Sequence, residues 1–410
     1  MCNLTWPLCS DGIDVGGTAS ETDRVTIPLE EVLQRTREVT SKVVAPSAES
    51  TDRDGLWPEA SFRALQAAGL GGLVVPTRSG GLGMGLLAVA RVCEEIGGAC
   101  ASTAISFGMH HVAAAVIAAK ATPDHVARYL EPIARGEHLT TLALSEPGSG
   151  SHFYLPETPI TARSDGSLSV TGKKSFVTNG GHADSYVVSV VAVDAASGPG
   201  QFSCVLVPKD AHGLEWGPAW NGLGMRGNDS KTLELDDVVL PAANLLGGEG
   251  DQIWYVFNVV APYFLMAMAG TYLGLAAAAL DEVTMHLSAR HYTHSGTSLA
   301  NQPVLQHRLG TLWAVVARTR ALVYHAATAA DAGADDALIA LCAAKAEVAD
   351  CATQVVNESM TLLGGKGYAN DSRIQRMLRD ARAAHVMSPT TDILRTWTGR
   401  ALLGLPLLAE

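Results

Sequence analysis

The sequence predicts an α+β fold in three parts: an N-terminal helical domain, a small β-barrel or sandwich, and a C-terminal four-helix bundle. Three observations carry this. Long apolar-periodic segments occupy both ends of the 410-residue chain. Near Leu139 the pattern changes to short β-branched runs bounded by Gly, Asn, Asp and Pro, and it holds to about Gly247. Hydrophobic residues make up 47% against 17% charged, enough to bury large cores, and with aromatics at only 6% those cores rest on close helix packing. The expected boundaries are a poorly ordered tail over 1–26, helices over 27–138, the β-domain over 139–247 and the bundle over 248–410.

In order, Pro28-Leu-Glu-Glu opens an amphipathic helix with early acids, as the helix dipole favours. Trp57 to Gly69 reads as a second helix, with Pro58 near its start and Gly69 just past its end. The glycine-punctuated loop GLGGLVVPTRSGGLG (69–83) follows, then Ala-rich helices near 84–97 and 100–119 and a third ending near 136. The runs SLSVTG, KKSFVTNG, SYVVSVVAV, FSCVLVPK and KTLELDDVVLP read as strands. Helices are then expected near 252–290, 303–331, 335–363, 372–384 and 390–403.

Charge and cysteine content exclude several classes. A net charge of −12 argues against a general nucleic-acid binder, which needs a basic footprint. Seven cysteines without a CxxC pair argue against zinc and thioredoxin-like chemistry and fit reduced thiols in the cytoplasm. The N-terminus has neither the basic start nor the apolar run of a secretory signal. Gln252 to Leu280 carries no charge and is long enough to span a bilayer. Asn258, Pro262, Gly270 and Gly274 interrupt it, and no Lys/Arg cluster flanks it, so a helix buried on all sides is the expectation, with no membrane partner.

Five stretches in series resemble the acyl-CoA dehydrogenase superfamily, across about residues 28–404: the 69–83 loop, LALSEPGSGSH (142–152), GKKSFVTNGGHADSY (172–186), GMRGNDSKTLELDDVVLPAANLLGGEG (224–250) and LLGGKGYANDSRIQRMLRDAR (362–382). The resemblance implies a flavoprotein oxidoreductase acting on an acyl thioester, CoA- or carrier-protein-bound. A flavin needs backbone N–H donors close to its ring and phosphates, and glycines allow that approach. EPGSGS taken alone would be an ordinary turn. By resemblance, Leu144, Ser145, Gly150 and Ser151 touch the flavin or thioester, Phe176 and Thr178 stand beside the ring, and Thr390 belongs to the flavin site. Gly364, Gly365 and Gly367 match a loop that reaches a neighbouring subunit's flavin, which implies a homo-oligomer, a dimer or tetramer.

The sequence also departs from the family. The family's base is a glutamate at one of two places, and the resemblance puts Ser388 at the first and Phe264 at the second, beside Tyr263 and Leu265. An unassisted serine hydroxyl is far too weak a base at neutral pH. The family's RxxFG segment becomes Arg290-His-Tyr-Thr-His-Ser295-Gly296; one alignment gives the arginine's place to Tyr292, the other to Arg290. Thr361 replaces the usual glutamine, so FMN is open beside FAD. Candidates for acid–base work are His110 in SFGMHH (106–111), then His385, His152 and Tyr263. Each also reads plainly as a surface or packing residue. The reactions this leaves are thioester dehydrogenation with an unusual base, monooxygenation with reduced flavin and O2, for which the small Ser388 leaves room, and redox-neutral cyclisation of a carrier-bound acyl or aminoacyl group. A non-catalytic binding protein on the same scaffold is the reading from another class.

Overall fold

The computed structural model describes residues 27–192, 202–248 and 250–408. The tail expected over 1–26, with Cys2 and Cys9, lies outside the described residues. Helix α1 (Leu29–Val39) passes through a π turn into α2 (Ala45–Asp54), and α3 (Glu59–Ala67) follows. After the 69–83 loop come α4 (Leu86–Gly97) and α5 (Ala101–Ala119), then the short α6 (Pro123–His125) and α7 (Glu131–Ala134), again joined by a π turn.

The strands are β1 (Thr140–Ala143), β2 (Pro159–Ala162), β3 (Leu168–Val177), β4 (Ser185–Ala192), β5 (Phe202–Pro208), β6 (Leu214–Trp216), β7 (Lys231–Leu240) and β8 (Leu245–Leu246). They form one mixed sheet in the order β6-β7-β3-β2-β4-β5-β8, with β1 beside β4. Among the described residues β6 and β8 do not pair, so the sheet is open rather than the barrel or sandwich expected. SLSVTG and KKSFVTNG, read as two runs, are largely one strand: β3 continues through Gly172 and shifts register against β7 at two bulges.

The C-terminal part has α8 (Gln252–Tyr255), a π turn, α9 (Ala261–Ala289), α10 (Pro303–Asp331), α11 (Ala337–Leu363), α12 (Arg373–Val386) and α13 (Thr391–Leu402). Helix α9 is the axis of the molecule. It packs on α4 and α5 of the N-terminal part and on α10, α11 and α12 of its own. The α4–α9 contact is the most extensive between helices, and glycines make it close. A Cβ at Gly270 would lie 2.0 Å from the Ala90 carbonyl oxygen, and one at Gly274 equally near that of Glu94. The glycines that interrupt the uncharged run are therefore its crossing points. Ala101–Ala119 and Gln252–Ala289 are both long and apolar enough to cross a bilayer, but their apolar windows are 94% and 78% buried in the fold. Burial accounts for their composition.

Candidate active site

The site begins where β1 ends. The Ser175 N–H on β3 donates to the Ser145 carbonyl (2.7 Å), tying the start of the EPGSGS loop to the sheet. Glu146, buried, closes the loop from within. Its carboxylate accepts from the backbone N–H groups of Glu157 (2.6 Å) and Thr158 (3.1 Å), from the Thr158 hydroxyl (2.7 Å) and from Lys174 Nζ (2.5 Å). Burial pushes this carboxyl up, but the Lys174 ammonium together with the Thr158 hydroxyl and the Glu157 N–H holds it below the usual carboxylate range. The charge is consumed in structure. At the loop's tip Gly150 has φ +54°, and no atom lies within 4 Å of where a Cβ would be.

Phe176 sits at the β3 bulge with φ 55°, a left-handed conformation costing about 1–2 kcal/mol for a residue with a Cβ. The bulge aims its ring outward: Phe176 is 66% exposed and meets Trp220 edge to face, centroids 6.2 Å apart. The loop after Trp220 is fixed to the helices. Met225 N–H donates to Asp380 Oδ1 of α12 (2.6 Å), and Gly227 N–H to Ser102 Oγ of α5 (3.2 Å). Burial pushes the Asp380 carboxyl up to about 6.

These pieces enclose a cavity of about 820 Å³. Its sheet side is Leu142, Leu144, Ser145, Gly150, Ser175, Phe176 and Thr178; Trp220, Leu223 and Ser230 come from the following loop. Its helix side is Met109, Val260, Phe264 and Ala383, with Met387 and Ser388 from the loop after α12. Arg379 and Arg382 of α12 also line it. Arg379 pairs with Asp52, whereas Arg382, exposed, has no ion-pair partner among the described residues. Thr178 Oγ1 lies 3.1 Å from Ser230 Oγ.

The cavity therefore gathers Leu144, Ser145, Gly150, Phe176 and Thr178 with Phe264 and Ser388. The other sequence candidates lie elsewhere. Ser151 and His152 continue the loop beyond Gly150 without lining the cavity. Thr390 caps α13, its hydroxyl accepting from the Ile393 N–H (3.4 Å). Arg290 ends α9 on the surface, and Gly364, Gly365 and Gly367 form a turn after α11 beside Tyr368, which is 81% exposed. Tyr263 is half-buried near Asp331, and burial pushes its phenol up to about 12. His385 lies in a neighbouring groove with Asp350 and Thr353.

His110 is fully buried, and backbone takes both its nitrogens. Its Nε2–H donates to the Gly71 carbonyl (2.9 Å), and its Nδ1 accepts from the Thr140 N–H (3.2 Å). It ties the 69–83 loop, α5 and β1 together and does not line the cavity. Burial pulls its pKa down to about 4. Because the folded value lies below the unfolded 6.5, the protein should lose stability as pH falls from 6.5 towards 4. The group's share at pH 5 is about 2 kcal/mol, measurable as a drop in urea midpoint relative to pH 8.

Sequence reasoning missed Trp220, Leu223, Arg382 and Met387 as lining residues. Trp220 and Leu223 lie between β6 and β7 in a segment with no strand or helix period, and the only signal there was a tryptophan in a glycine-rich run, Trp220-Asn-Gly-Leu-Gly.

Comparison with known proteins follows the same three-part order. The descriptions Acyl-CoA dehydrogenase, N-terminal domain, middle domain and C-terminal domain match residues 28–137, 141–238 and 262–403. The chain is 31% identical to the cyclohex-1-ene-1-carbonyl-CoA dehydrogenase of Geobacter metallireducens, over 90% of this chain and 97% of that one. It is 28% identical to the mitochondrial isobutyryl-CoA dehydrogenase of Bos taurus, over 88% and 86%. Its fold matches the solved structure of butyryl-CoA dehydrogenase from Megasphaera elsdenii with a TM-score of 0.86 at 25% identity, covering 94% of this chain and all of the other.

Proposed function

From the premise that this chain belongs to the acyl-CoA dehydrogenase family, we propose that it is a flavin-dependent oxidoreductase for the CH–CH group of an acyl thioester, working without the family's glutamate. One observation carries the reading: the cavity joins the flavin-type residues of the sheet to both places where a base is expected.

The cavity fits a flavin ring. Phe176 and Trp220 give it an apolar wall, Ser145, Ser175, Thr178 and Ser230 offer hydroxyls, and Gly150 leaves room beside the loop backbone. Arg382 supplies an unpaired cation for a phosphate-bearing ligand. When bound, the flavin supplies the hydride acceptor. The chain's part is to hold the acyl group between Phe176 and the helix side, where Met109, Leu142, Val260 and Phe264 exclude water and favour an apolar acyl chain. Both CoA and a carrier protein fit this requirement.

Among the cavity's lining residues Glu146 is the one carboxylate, and Lys174 holds it. The α-proton must therefore leave to a group other than a free protein carboxylate. That same absence favours monooxygenation with reduced flavin and O2, or redox-neutral cyclisation, as the second reading. We assign Gly364, Gly365, Gly367 and Arg290 to a neighbour's cofactor in a homo-oligomer, a dimer or tetramer. The exposed Val304, Trp313 and Tyr368 support such an assembly. FAD is the assigned cofactor, since that loop would serve its adenine half, and FMN would leave the loop unused. The free, buried thiols of Cys93, Cys100, Cys204, Cys342 and Cys351 fit a cytoplasmic protein.

The test is to purify the protein, identify its chromophore by absorbance and mass, and mix it anaerobically with a panel of acyl-thioesters. Bleaching near 450 nm, a general mark of flavin reduction, is the expected result. A bound flavin that no saturated thioester bleaches overturns dehydrogenation, and oxygen consumption with reduced flavin then decides the second reading. Phe176→Ala should weaken flavin retention about tenfold, the worth of one aromatic contact, by equilibrium dialysis. Unchanged flavin content would remove Phe176 from the site.

A further inference from the structure

Lys345 on α11 is fully buried and has no carboxylate partner among the described residues. Its Nζ donates to the Pro389 carbonyl (2.8 Å) and the Met387 carbonyl (3.3 Å), the carbonyls on either side of Ser388. From α9, the buried Tyr272 hydroxyl contacts the Met387 sulfur at 3.3 Å. Met387 and Ser388 line the cavity. Two groups from two helices thus hold the short loop between α12 and α13.

The arrangement is costly. An ammonium buried without a counter-ion is pulled towards neutrality, and burial brings Lys345 down to about 7, opposed by the Cys342 thiol on the same helix. His385 on α12 is the other titratable side chain that feels this charge. Around Lys345, α11 buries Leu341, Cys342, Ala344, Ala346 and Val348, so a methionine would suit the packing better. What lysine adds is donors for the two flanking carbonyls.

We propose that Lys345 is a positioning residue that, through the Met387 and Pro389 carbonyls, fixes residue 388 at the cavity wall and so sets its distance from the bound substrate. The substrate clause rests on the thioester reading above; the grip on the loop does not. Without those donors the two carbonyls flanking Ser388 lose their side-chain hold, the loop keeps the Met387 N–H bond to the Ala383 carbonyl, the Tyr272–Met387 contact and the burial of Pro389, and residue 388 gains freedom.

The test places a reporter at the loop. In Ser388→Cys, alkylation by iodoacetamide is followed by peptide mass mapping, which separates position 388 from the other cysteines. Adding Lys345→Met should speed labelling at 388 about tenfold, and adding Lys345→Arg, which keeps charge and donors, should restore most of the slow rate. A second reporter, Ser175→Cys on the sheet side of the same cavity, should keep its rate in the Lys345→Met background. An unchanged rate at 388, or an equal rise at both reporters, overturns the proposal. If Lys345→Met does not fold, Lys345→Gln, with one neutral amide donor, should give an intermediate rise at 388, and no rise overturns the proposal. Labelling needs neither flavin nor turnover. An enzyme that fails to oxidise thioesters yet shows this pattern refutes the proposed reaction and leaves the loop assignment standing.

Discussion

Ser388→Glu should raise acyl-thioester oxidation by at least about 10²-fold, read as the rate of anaerobic flavin bleaching by a saturated acyl-thioester. General-base catalysis by a positioned carboxylate contributes roughly 10²–10⁴-fold. The natural Ser388 hydroxyl cannot supply it at neutral pH. Position 388 lines the same cavity as Phe176 and Thr178, and 820 Å³ accommodates the added atoms. Arg382, which lines the same wall, favours the ionised form of the new carboxylate. A carboxylate at Phe264 is the control from the helix side. If flavin stays bound and neither variant gains activity, neither position faces the substrate's α-carbon, and the dehydrogenase reading loses its geometric basis.

His110→Ala should destabilise the fold by about 3 kcal/mol at neutral pH, measured by urea denaturation. The substitution leaves the Gly71 carbonyl and the Thr140 N–H buried without partners, each costing roughly 1–3 kcal/mol, and opens a cavity beside Phe107. At pH 5 the difference should shrink by about 2 kcal/mol, because the wild type there bears the penalty of an imidazole held neutral while the unfolded chain protonates. If the variant is as stable as the wild type but inactive, His110 is a chemical participant and its placement in packing is wrong.

The helices were legible because their signals are local. The run Pro303–Asp331 opens with Pro at its first position and closes on a turn at Gly333, and it forms the helix expected. The sheet was less so. Gly172 and the charged pair Lys173-Lys174 read as a break, yet β3 runs through them, because Lys174 finds Glu146 and Ser189 in the interior. No residue pattern announces that pairing, since a lysine in a strand ordinarily reads as solvated. Phe176's left-handed backbone is hidden for the same reason: tertiary contacts impose it against local preference. In the site, the glycine-rich loop meets Phe264 and Ser388, the two positions that the resemblance gives to a base, at one cavity. His110 drew attention as a titratable residue in an apolar helix, but its role depends on two backbone groups, at Gly71 and Thr140, that sequence distance conceals. Lys345 was missed because one lysine in an Ala-rich helix looks like a solvent-facing charge.

The α4–α9 crossing constrains how the chain can be made. Helix α4 is synthesised long before α9, with the whole sheet between them. Helices α1 and α5 pack on α4 as well, but until Ala90 and Glu94 receive Gly270 and Gly274 the side of α4 that meets α9 has nothing to cover it. At roughly 5–20 residues per second that wait is on the order of ten seconds on the ribosome. The N-terminal helices therefore complete their packing only when α9 arrives. Fragments cut before α9 should expose apolar surface and be held by chaperones, and a stop codon in the sheet should yield a product that is degraded rather than a folded N-terminal piece.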